Sequence, residues 1–293
     1  MSGSTCVCST SSNEEIDVLS LIKPRGMLML GSNVCRQRQL ESPEFAGWCS
    51  QIKERVGQMH RKIWEWCFIA QALSERDMLV EGRRGLGFAV GQEPLIALFA
   101  KMGCTIVATD LDLDSAASAG WVESNQHSAD VSRLNTRDIC DKDVFQQRVN
   151  FRTVDMNHVP SELAGFDFVW SSCAIEHVGS LEKAITFMER MVDCLKPGGV
   201  AVHTTEYNLS SETETLVDGN SVIFRKSDLK ELVTRLTKKG CHVEPLDFKV
   251  GQGPADLVVD EPPYTHDPHL RLMIGPYLST SFGIIVTKLG GAA

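Results

Sequence analysis

Apolar positions between residues 85 and 110 follow two different periods. Residues 86–90 form a short apolar run bounded by glycine, as expected for a buried strand of a parallel sheet. From residue 95 to residue 99 the apolar positions recur at helical spacing, and Gly103 follows where a helix C-cap is expected. A second apolar run at 105–109 predicts the next strand, which ends on Asp110. The pattern predicts a strand–turn–helix–strand unit.

Strand and helix patterns of this kind alternate about seven times from residue 81 to the end of the chain. Further strands are predicted near 149–156, 166–172, 241–250 and 281–288. Such alternation favours an α/β fold with a parallel sheet and helices on both faces. Two long segments, 206–225 and 251–279, interrupt it. We predict that both are lids, because long irregular segments inside a compact domain are usually functional.

The chain is predicted to have three parts. Residues 1–40 begin with a polar tract and are expected to be a partly disordered tail. Residues 41–80 are predicted to be a helical segment with a strongly apolar centre. Within it, Trp64 and Trp66 are two positions apart, so they face different sides of the helix, and both are expected to be core residues. Residues 81–293 form the α/β domain.

Asp110 gives the first indication of a ligand. Open α/β sheets bind ligands at the carboxyl ends of their strands, where an acid can accept hydrogen bonds from the two ribose hydroxyls of a nucleoside. The turn before the first helix ends on Glu93, whose negative charge would repel a pyrophosphate at the helix N-terminus. S-Adenosylmethionine has no phosphate and carries a sulfonium and an ammonium group. We therefore predict this cofactor rather than a dinucleotide.

Two later stretches agree with that cofactor. Asp155 ends a predicted strand and suits the exocyclic amine of adenine, and Met156 suits the face of the adenine ring. The strand at 166–172 is followed by Cys-Ala-Ile-Glu-His at 173–177, and Leu-Lys-Pro-Gly-Gly stands at 195–199.

Five features follow one another in an order and spacing that are specific in combination. They are the glycine loop at 87–91, Asp110, Asp155, the segment 171–177 and the turn at 195–199. On these residues, the part of the chain from about 80 to 290 resembles the class I S-adenosylmethionine-dependent methyltransferases. The resemblance implies a Rossmann-like, seven-stranded, mostly parallel sheet whose last strand is antiparallel, preceded here by the N-terminal helical extension. Residues 81–293 are then the catalytic domain, with S-adenosylmethionine as cofactor and S-adenosylhomocysteine as product.

The resemblance also assigns candidate cofactor-binding residues. They are Gly87, Phe88, Ala89, Gly91, Glu93, Asp110, Leu111, Asp155, Met156, Ser172 and Cys173. The family usually has an acid where Gly87 stands, and glycine where Ala89 and Glu93 stand. The acid at the first of these positions often holds the ammonium group of the cofactor, so another residue must do so here. Glu93 is one candidate.

Composition narrows the class of substrate. The net charge is −9 and the sequence pI is about 5.4, whereas nucleic-acid-binding proteins usually carry a basic face. We therefore expect no nucleic-acid partner. No apolar run is long enough to span a membrane, and the N-terminus lacks the pattern of a signal peptide. Ten cysteines without a Cys-x-x-Cys pair predict reduced thiols in a cytoplasmic protein. A homodimer is possible.

Methyl transfer requires in-line alignment, exclusion of water and, for a hydroxyl acceptor, a base. His177 is the best placed histidine, because it follows the strand whose end should face the methyl group. Glu176 is a second candidate, and Tyr207 is predicted to lie at the mouth of the pocket. We expect His203 to point into the packing of the sheet. Cys173 is interpreted as a small residue in the cofactor wall, with a nucleophilic role as the alternative.

His266 and His269 raise the question of a metal. Together with Asp260 and Asp267 they could bind one, but they lie in a predicted lid, where solvated side chains are common. We predict no metal.

The favoured function is O-methylation of a small molecule such as a sugar, a polyol or a secondary metabolite. The Asn/Asp-Pro-Pro-Tyr/Phe signature of N-methylating enzymes is absent after the fourth strand, where 171–174 reads Ser-Ser-Cys-Ala. Two alternatives remain: a protein methyltransferase, and a non-catalytic binding or scaffold subunit with this fold.

Overall fold

The computed structural model describes residues 29–118 and 127–290. The strands are β1 (Ser32–Val34), β2 (Arg84–Gly87), β3 (Thr105–Asp110), β4 (Val149–Thr153), β5 (Phe166–Ser172), β6 (Leu195–Asn208), β7 (Cys241–Val243), β8 (Leu246–Asp247), β9 (Val259–Asp260), β10 (Arg271–Ile274) and β11 (Tyr277–Lys288). The helices are α1 (Gln37–Leu40), α2 (Pro43–Gln51), α3 (Arg61–Glu75), α4 (Leu95–Lys101), α5 (Leu113–Ser118), α6 (Lys142–Arg148), α7 (Leu181–Met191) and α8 (Lys226–Lys238).

All the strands of the described residues belong to one sheet. Its main path is β4-β3-β2-β5-β6-β11-β1-β8, and β7 pairs with β11. Strands β2 to β6 are mutually parallel, whereas β11 runs antiparallel to both β6 and β7. The seven strands β2–β7 and β11 therefore confirm the predicted mostly parallel sheet with an antiparallel last strand. Four further short strands, β1, β8, β9 and β10, extend it.

Glycine in β2 makes room for the aromatic residues of β5. A Cβ atom on Gly87 would lie 2.6 Å from Trp170, and one on Gly85 would lie 2.3 Å from Phe168. Phe99 of α4 packs edge-on against both rings, at centroid distances of 5.1 Å to Trp170 and 5.7 Å to Phe168. Close aromatic packing between β5 and α4 is thus what requires the small residues of β2.

Helices cover both faces of the sheet, as predicted. Phe168 and Trp170 face a core built largely by α2, α3 and α4, whereas Val169 faces a second core built by α7 and α8. This division follows from the alternation of side chains along a strand. Trp64 of α3 is fully buried and stacks on Phe68, so its predicted place in the core is confirmed.

The end of the predicted N-terminal tail belongs to the sheet. β1 pairs antiparallel with β11 and parallel with β8. Arg36, which is buried, forms an ion pair of 2.6 Å with Asp247 and donates to the carbonyl of Lys249. Partial disorder is predicted for residues 1–40; of these, residues 29–40 contain β1 and α1, and residues 1–28 lie outside the described residues.

The two predicted lid segments are folded against the domain. Of the first segment, residues 206–208 belong to β6. Residues 209–225 follow this strand and run beside 176–181, where the Val222 amide donates to the Glu176 carbonyl at 3.0 Å and the Leu181 amide donates to the Val217 carbonyl at 2.9 Å. The segment 251–279 is not irregular throughout, because it contains β9, β10 and the start of β11. The last strand therefore begins at Tyr277 and not near residue 281.

Across the described ranges, no helix has both the length and the apolar composition needed to cross a membrane.

Candidate active site

A pocket of about 380 Å³ lies at the carboxyl ends of the central parallel strands and beside the first turns of α3. It is lined by Lys62, Trp66, Ala89, Val90, Gly91, Gln92, Glu93, Asp110, Leu111, Val154, Asp155, Met156, Asn157, Ser172, Cys173, Ala174, His177 and Val178. This is the edge at which open α/β sheets bind their ligands, and the volume suits a small molecule.

Most of the sequence-predicted site residues meet in this pocket. Those that line it are Ala89, Gly91, Glu93, Asp110, Leu111, Asp155, Met156, Ser172, Cys173 and His177. Gly87, Phe88, Glu176 and Tyr207 do not line it. The sequence analysis missed Lys62, and its expectation that Trp66 is a core residue is wrong, because α3 places this partly buried side chain in the wall of the pocket.

The turn after β2 has a left-handed backbone at two positions. Ala89 has φ +47° and Gly91 has φ +52°. Glycine adopts this conformation readily, whereas alanine does so at a cost of about 1–2 kcal/mol. Ala89 therefore keeps the backbone conformation of the glycine that usually stands at its position, and the turn survives the substitution.

Asp110 is held in place by backbone amides. Its Oδ2 atom accepts from the N–H groups of Gly91 at 3.0 Å and Ser128 at 3.3 Å, and Oδ1 accepts from Leu111 at 2.9 Å. Burial raises the pKa of Asp110, while these hydrogen bonds act in the opposite direction. Because a carboxylate oxygen has two lone pairs, Oδ1 can still accept a hydrogen bond from a ribose hydroxyl.

Asp155 and Met156 lie at the end of β4. Asp155 accepts from the Asn157 amide at 2.8 Å and lies 2.8 Å from His158 Nδ1. Burial raises the pKa of Asp155, but the hydrogen bonds from His158 and Asn157 outweigh it, so the net shift is downward. Met156 is buried and lines the pocket beside this ionised carboxylate.

Glu93 is a buried acid that faces the pocket. Trp170 Nε1 donates to its Oε1 atom at 2.6 Å. Burial raises the pKa of Glu93 to about 8, although the Trp170 hydrogen bond and Lys62 lower it. A cation bound nearby would shift this carboxyl to its ionised form.

Gly87 and Phe88 lie beneath the pocket instead of lining it. The Gly87 carbonyl accepts from Thr109 Oγ1 at 2.8 Å, and the Phe88 ring packs edge-on against Phe187 at 5.1 Å. Both residues support the loop from the core.

Three polar residues at the start of α3 form a buried ionic cluster with the strand ends. Glu65 is fully buried, lies 3.1 Å from Lys62 Nζ and 3.4 Å from Arg61, and accepts from the Ser172 hydroxyl at 3.1 Å. Burial raises the pKa of Glu65, but Lys62 and Arg61 outweigh it and hold the pKa at about 2. The sequence pattern that could have revealed this cluster is three charged residues at positions i, i+1 and i+4 of a largely apolar helix.

Arg61 connects this cluster to β6. It forms a short ion pair with Glu206, whose Oε2 atom accepts from the Ser279 hydroxyl at 2.7 Å. Glu206 thus faces the cluster, and its neighbour Tyr207 faces the opposite side of the sheet. The Tyr207 ring lies 5.6 Å from both Phe248 and Phe282 in the core. The predicted position of Tyr207 at the pocket mouth is therefore wrong, because strand alternation directs it into the core.

Cys173 also has a left-handed backbone, with φ +46°. Its thiol donates to Glu65 Oε1 at 2.9 Å. Burial, reinforced by Glu176 and Glu65, raises the pKa of the Cys173 thiol well above its ordinary value. The side chain is a hydrogen-bonded thiol and not a thiolate nucleophile.

His177 lies in the wall of the pocket beside residues 209–225, and the buried Glu176 lies behind it. His177 Nδ1 lies 2.7 Å from the carbonyl oxygen of Asn220, which can only accept, so Nδ1 carries the proton and Nε2 carries the basic lone pair. Nε2 lies 4.0 Å from Glu176 Oε1. That oxygen is buried and has no hydrogen-bond partner among the described residues. Burial and the nearby Glu206 raise the pKa of Glu176 to about 8.

His203 lies in the packing of the sheet, as predicted. It is fully buried, its Nδ1 atom lies 2.7 Å from the Ser171 hydroxyl, and burial lowers its pKa to about 3. It is therefore a neutral structural residue.

Strand order, an antiparallel last strand and acids at the ends of β3 and β4 around one pocket are the arrangement expected for the class I methyltransferase fold. The family model of the methyltransferase domain matches residues 86–203, from β2 into β6. This match and the geometry of the pocket indicate an S-adenosylmethionine-dependent methyltransferase. No curated protein is significantly similar to it in sequence.

Solved structures with a similar arrangement are distant. A proposed sarcosine dimethylglycine methyltransferase from Galdieria sulphuraria is 14% identical, with a TM-score of 0.49, over 78% of this chain and 88% of its own. An S-adenosylmethionine-dependent methyltransferase from Mesorhizobium loti is 13% identical, with a TM-score of 0.46, over 74% and 97%. Magnesium protoporphyrin IX methyltransferase from Synechocystis PCC 6803 is 10% identical, with a TM-score of 0.42, over 74% and 80%. Likenesses at this level do not bear on the substrate.

Proposed function

We propose that this methyltransferase methylates a hydroxyl group of a small molecule, with His177 as the base. The observation that carries the proposal is the pairing of His177, in the wall of the pocket, with the buried Glu176 behind it. The Asn220 carbonyl sets the tautomer of His177, and Glu176 places an unsatisfied carboxyl oxygen 4.0 Å from the basic nitrogen. A hydroxyl acceptor needs such a proton acceptor, whereas a neutral amine does not need one for the displacement itself.

The residues at the strand ends fit the cofactor. Asp110 is fixed by three amides and would hold the ribose, while Asp155 and Met156 would hold the adenine. Glu93 supplies a buried carboxyl that would hold the ammonium group, in place of the acid missing at Gly87. When bound, S-adenosylmethionine supplies the methyl group that is transferred to the acceptor oxygen.

His177 would take the proton that the acceptor hydroxyl loses. Burial, the largest influence, lowers the pKa of His177. The net effect leaves this pKa below its ordinary value of 6.5, so the imidazole is neutral at pH 7. The proton would move from the acceptor oxygen to Nε2. The resulting positive charge would favour the ionised form of Glu176, because opposite charges at this distance attract.

The surroundings support a compact, polar acceptor. Residues 209–225 are hydrogen-bonded along 176–181, so the wall that carries His177 is covered by ordered chain. Lys62, Gln92, Asn157 and Ser172 give the wall of the pocket several polar groups. A sugar or another polyol, with several hydroxyls of its own, fits such a wall better than an apolar acceptor does.

Location and assembly remain predictions. The eight cysteines among the described residues are unpaired, which supports the predicted reducing, cytoplasmic environment. Light scattering distinguishes the proposed homodimer from a monomer.

The test uses S-adenosylmethionine with a labelled methyl group and parallel panels of polyols, phenols, amines and peptides. We expect label on oxygen, and we expect His177→Ala to lower kcat by about 10²–10⁴-fold. His242→Ala is the matched control, because His242 is exposed on β7. The affinity of His177→Ala for S-adenosylhomocysteine should stay within about twofold of wild type, an energy difference under ~0.5 kcal/mol. Label only on nitrogen, or only on protein, would overturn the proposed acceptor class.

A further inference from the structure

We propose that His60, His266 and His269 form a binding site for a divalent transition metal ion of the zinc class. One ring nitrogen of each histidine lies within 4.8 Å of a ring nitrogen of the other two. The ring centroids are 4.8 Å apart for His60 and His269, and 5.0 Å apart for His266 and His269. Imidazole nitrogens are preferred ligands of such ions, and three of them are enough for an open site.

The backbone brings these rings together from distant parts of the chain. His60 precedes α3, and His266 and His269 lie in the segment that follows β9. The Arg61 amide donates to the His269 carbonyl at 3.0 Å, and the His269 amide donates to the Met59 carbonyl at 2.7 Å. These two bonds fix His269 opposite His60, so the pair does not depend on a flexible contact.

Asp260 orients the buried member of the trio. Its Oδ2 atom lies 2.6 Å from His269 Nδ1, which leaves Nε2 as the ligand atom of that ring. The same carboxylate accepts from the amides of Thr265 at 2.8 Å and His266 at 2.9 Å. A carboxylate behind a ligating histidine is the usual arrangement in metal sites, where it fixes both the tautomer and the orientation of the ring.

Two adjustments accompany binding. Metal–nitrogen bonds of about 2.1 Å require ligand atoms roughly 3.4 Å apart, so nitrogens that now lie up to 4.8 Å apart must approach by up to about 1.4 Å. His266 is exposed and can move by that much. His60 Nδ1 accepts from the Lys62 amide at 3.1 Å, and coordination would weaken this helix cap. The loss of one capping bond is small beside the affinity of an imidazole site.

A second group of side chains could in principle bind a metal ion, but its members already have partners within the protein. Cys173, Glu176 and Glu206 also lie close together. However, Glu206 already pairs with Arg61, and the Cys173 thiol donates to Glu65. Arg61 therefore supplies the positive charge beside these acids that a metal ion would otherwise supply. At the histidine trio the ring nitrogens lie close to one another. Among the described residues, Asp260 is the only acid that is hydrogen-bonded to one of the three rings.

A metal at the trio would fasten the segment after β9 to the start of α3. Arg61 directly follows His60 and pairs with Glu206, so the site lies next to the ionic cluster of the pocket. Three protein ligands leave a fourth coordination position for water or for an oxygen of a bound molecule.

The test titrates tag-free, EDTA-dialysed protein with Zn²⁺ by calorimetry and with Co²⁺ by visible absorption. We expect one ion per chain and a nitrogen-rich cobalt spectrum. His266→Ala should lower the affinity at least tenfold, and since His266 is exposed, this variant should still fold. His242→Ala is the matched control and should bind like wild type. No binding by wild type, or equal binding by His266→Ala, would overturn the proposal. Asp260→Asn, checked for folding by circular dichroism, should lower the affinity about 10–100-fold.

Discussion

Glu65→Gln is expected to destabilise the protein strongly. The substitution preserves the size of the side chain and removes its negative charge. Glu65 is fully buried and is the common partner of Lys62, at 3.1 Å, and of Arg61, at 3.4 Å. Without that charge, two cations remain in a buried cluster with Glu206 as their nearest compensation. Breaking a buried ion pair by removing one partner leaves an uncompensated charge and typically costs about 3–5 kcal/mol.

The pKa of Glu65 gives an independent magnitude. Burial raises it, but Lys62 and Arg61 lower it more, from 4.5 to about 2. Since one pKa unit corresponds to about 1.4 kcal/mol, the charged form is favoured in the folded state by roughly 3 kcal/mol. The cost of breaking a buried ion pair and the pKa shift give similar energies. We therefore expect Glu65→Gln to lower the free energy of unfolding at pH 7 by about 3 kcal/mol.

The pH dependence follows from the direction of that shift. Because the pKa of Glu65 is lower in the folded than in the unfolded chain, its stabilisation is fully present above about pH 4.5. It is lost as the pH falls through 4.5 towards 2. The difference between wild type and Glu65→Gln should therefore be large at pH 7 and shrink below pH 4.5.

Urea unfolding at a series of pH values measures this difference. Glu231→Gln is the matched control, because Glu231 makes an ion pair of 2.7 Å with Arg235 on the surface of α8 and is 53% exposed. Surface pairs contribute about 0–1 kcal/mol, so the control should stay near wild type. A loss in Glu65→Gln no larger than in the control, or a loss that does not change with pH, would refute the reasoning.

Two further substitutions test the first loop. Ala89→Gly should raise the free energy of unfolding by about 0.5–1 kcal/mol, because relief of a left-handed alanine outweighs the extra flexibility of glycine in the unfolded chain; lower stability in urea would contradict this. Glu93→Gln should weaken S-adenosylhomocysteine binding about tenfold but leave 5′-methylthioadenosine, which lacks the ammonium group, unaffected. Equal losses for both ligands in calorimetry would show that Glu93 does not hold the ammonium.

Local sequence patterns were sufficient to predict the strands at the centre of the sheet. The strand–turn–helix–strand unit at 85–110 corresponds to β2, α4 and β3, and Asp110 does end β3 at the pocket. These elements are buried on both sides, so their apolar runs and glycine turns are strong signals. Alternation along β6 likewise predicts the buried position of His203.

Long-range contacts account for what the sequence analysis missed. Arg61 and Glu65 lie on α3, far in sequence from Cys173, Glu206 and Ser281, so no local pattern connects them. Tyr207 was misplaced because β6 continues to Asn208, which keeps alternation in force at that residue. β1 is too short to show a period, and it exists only through pairing with β11 and β8, which are distant in sequence.

The departures in the glycine loop are compatible with a working cofactor site. Ala89 retains the backbone conformation of the usual glycine, and Glu93 reaches the pocket from the following turn. We expect binding of the cofactor to depend on Asp110, whose carboxylate is oriented by the amides of Gly91, Leu111 and Ser128.

Calorimetric titration with S-adenosylmethionine, S-adenosylhomocysteine and NAD tests the central claim most directly. The account predicts binding of the first two in the micromolar range, none of NAD, and a loss of at least about tenfold in Asp110→Ala, or ~1.4 kcal/mol. Asp143→Ala, an exposed acid at the start of α6, is the control and should bind like wild type. Unchanged affinity in Asp110→Ala, or preferential binding of NAD, would contradict the assignment of this pocket as the methyl-donor site.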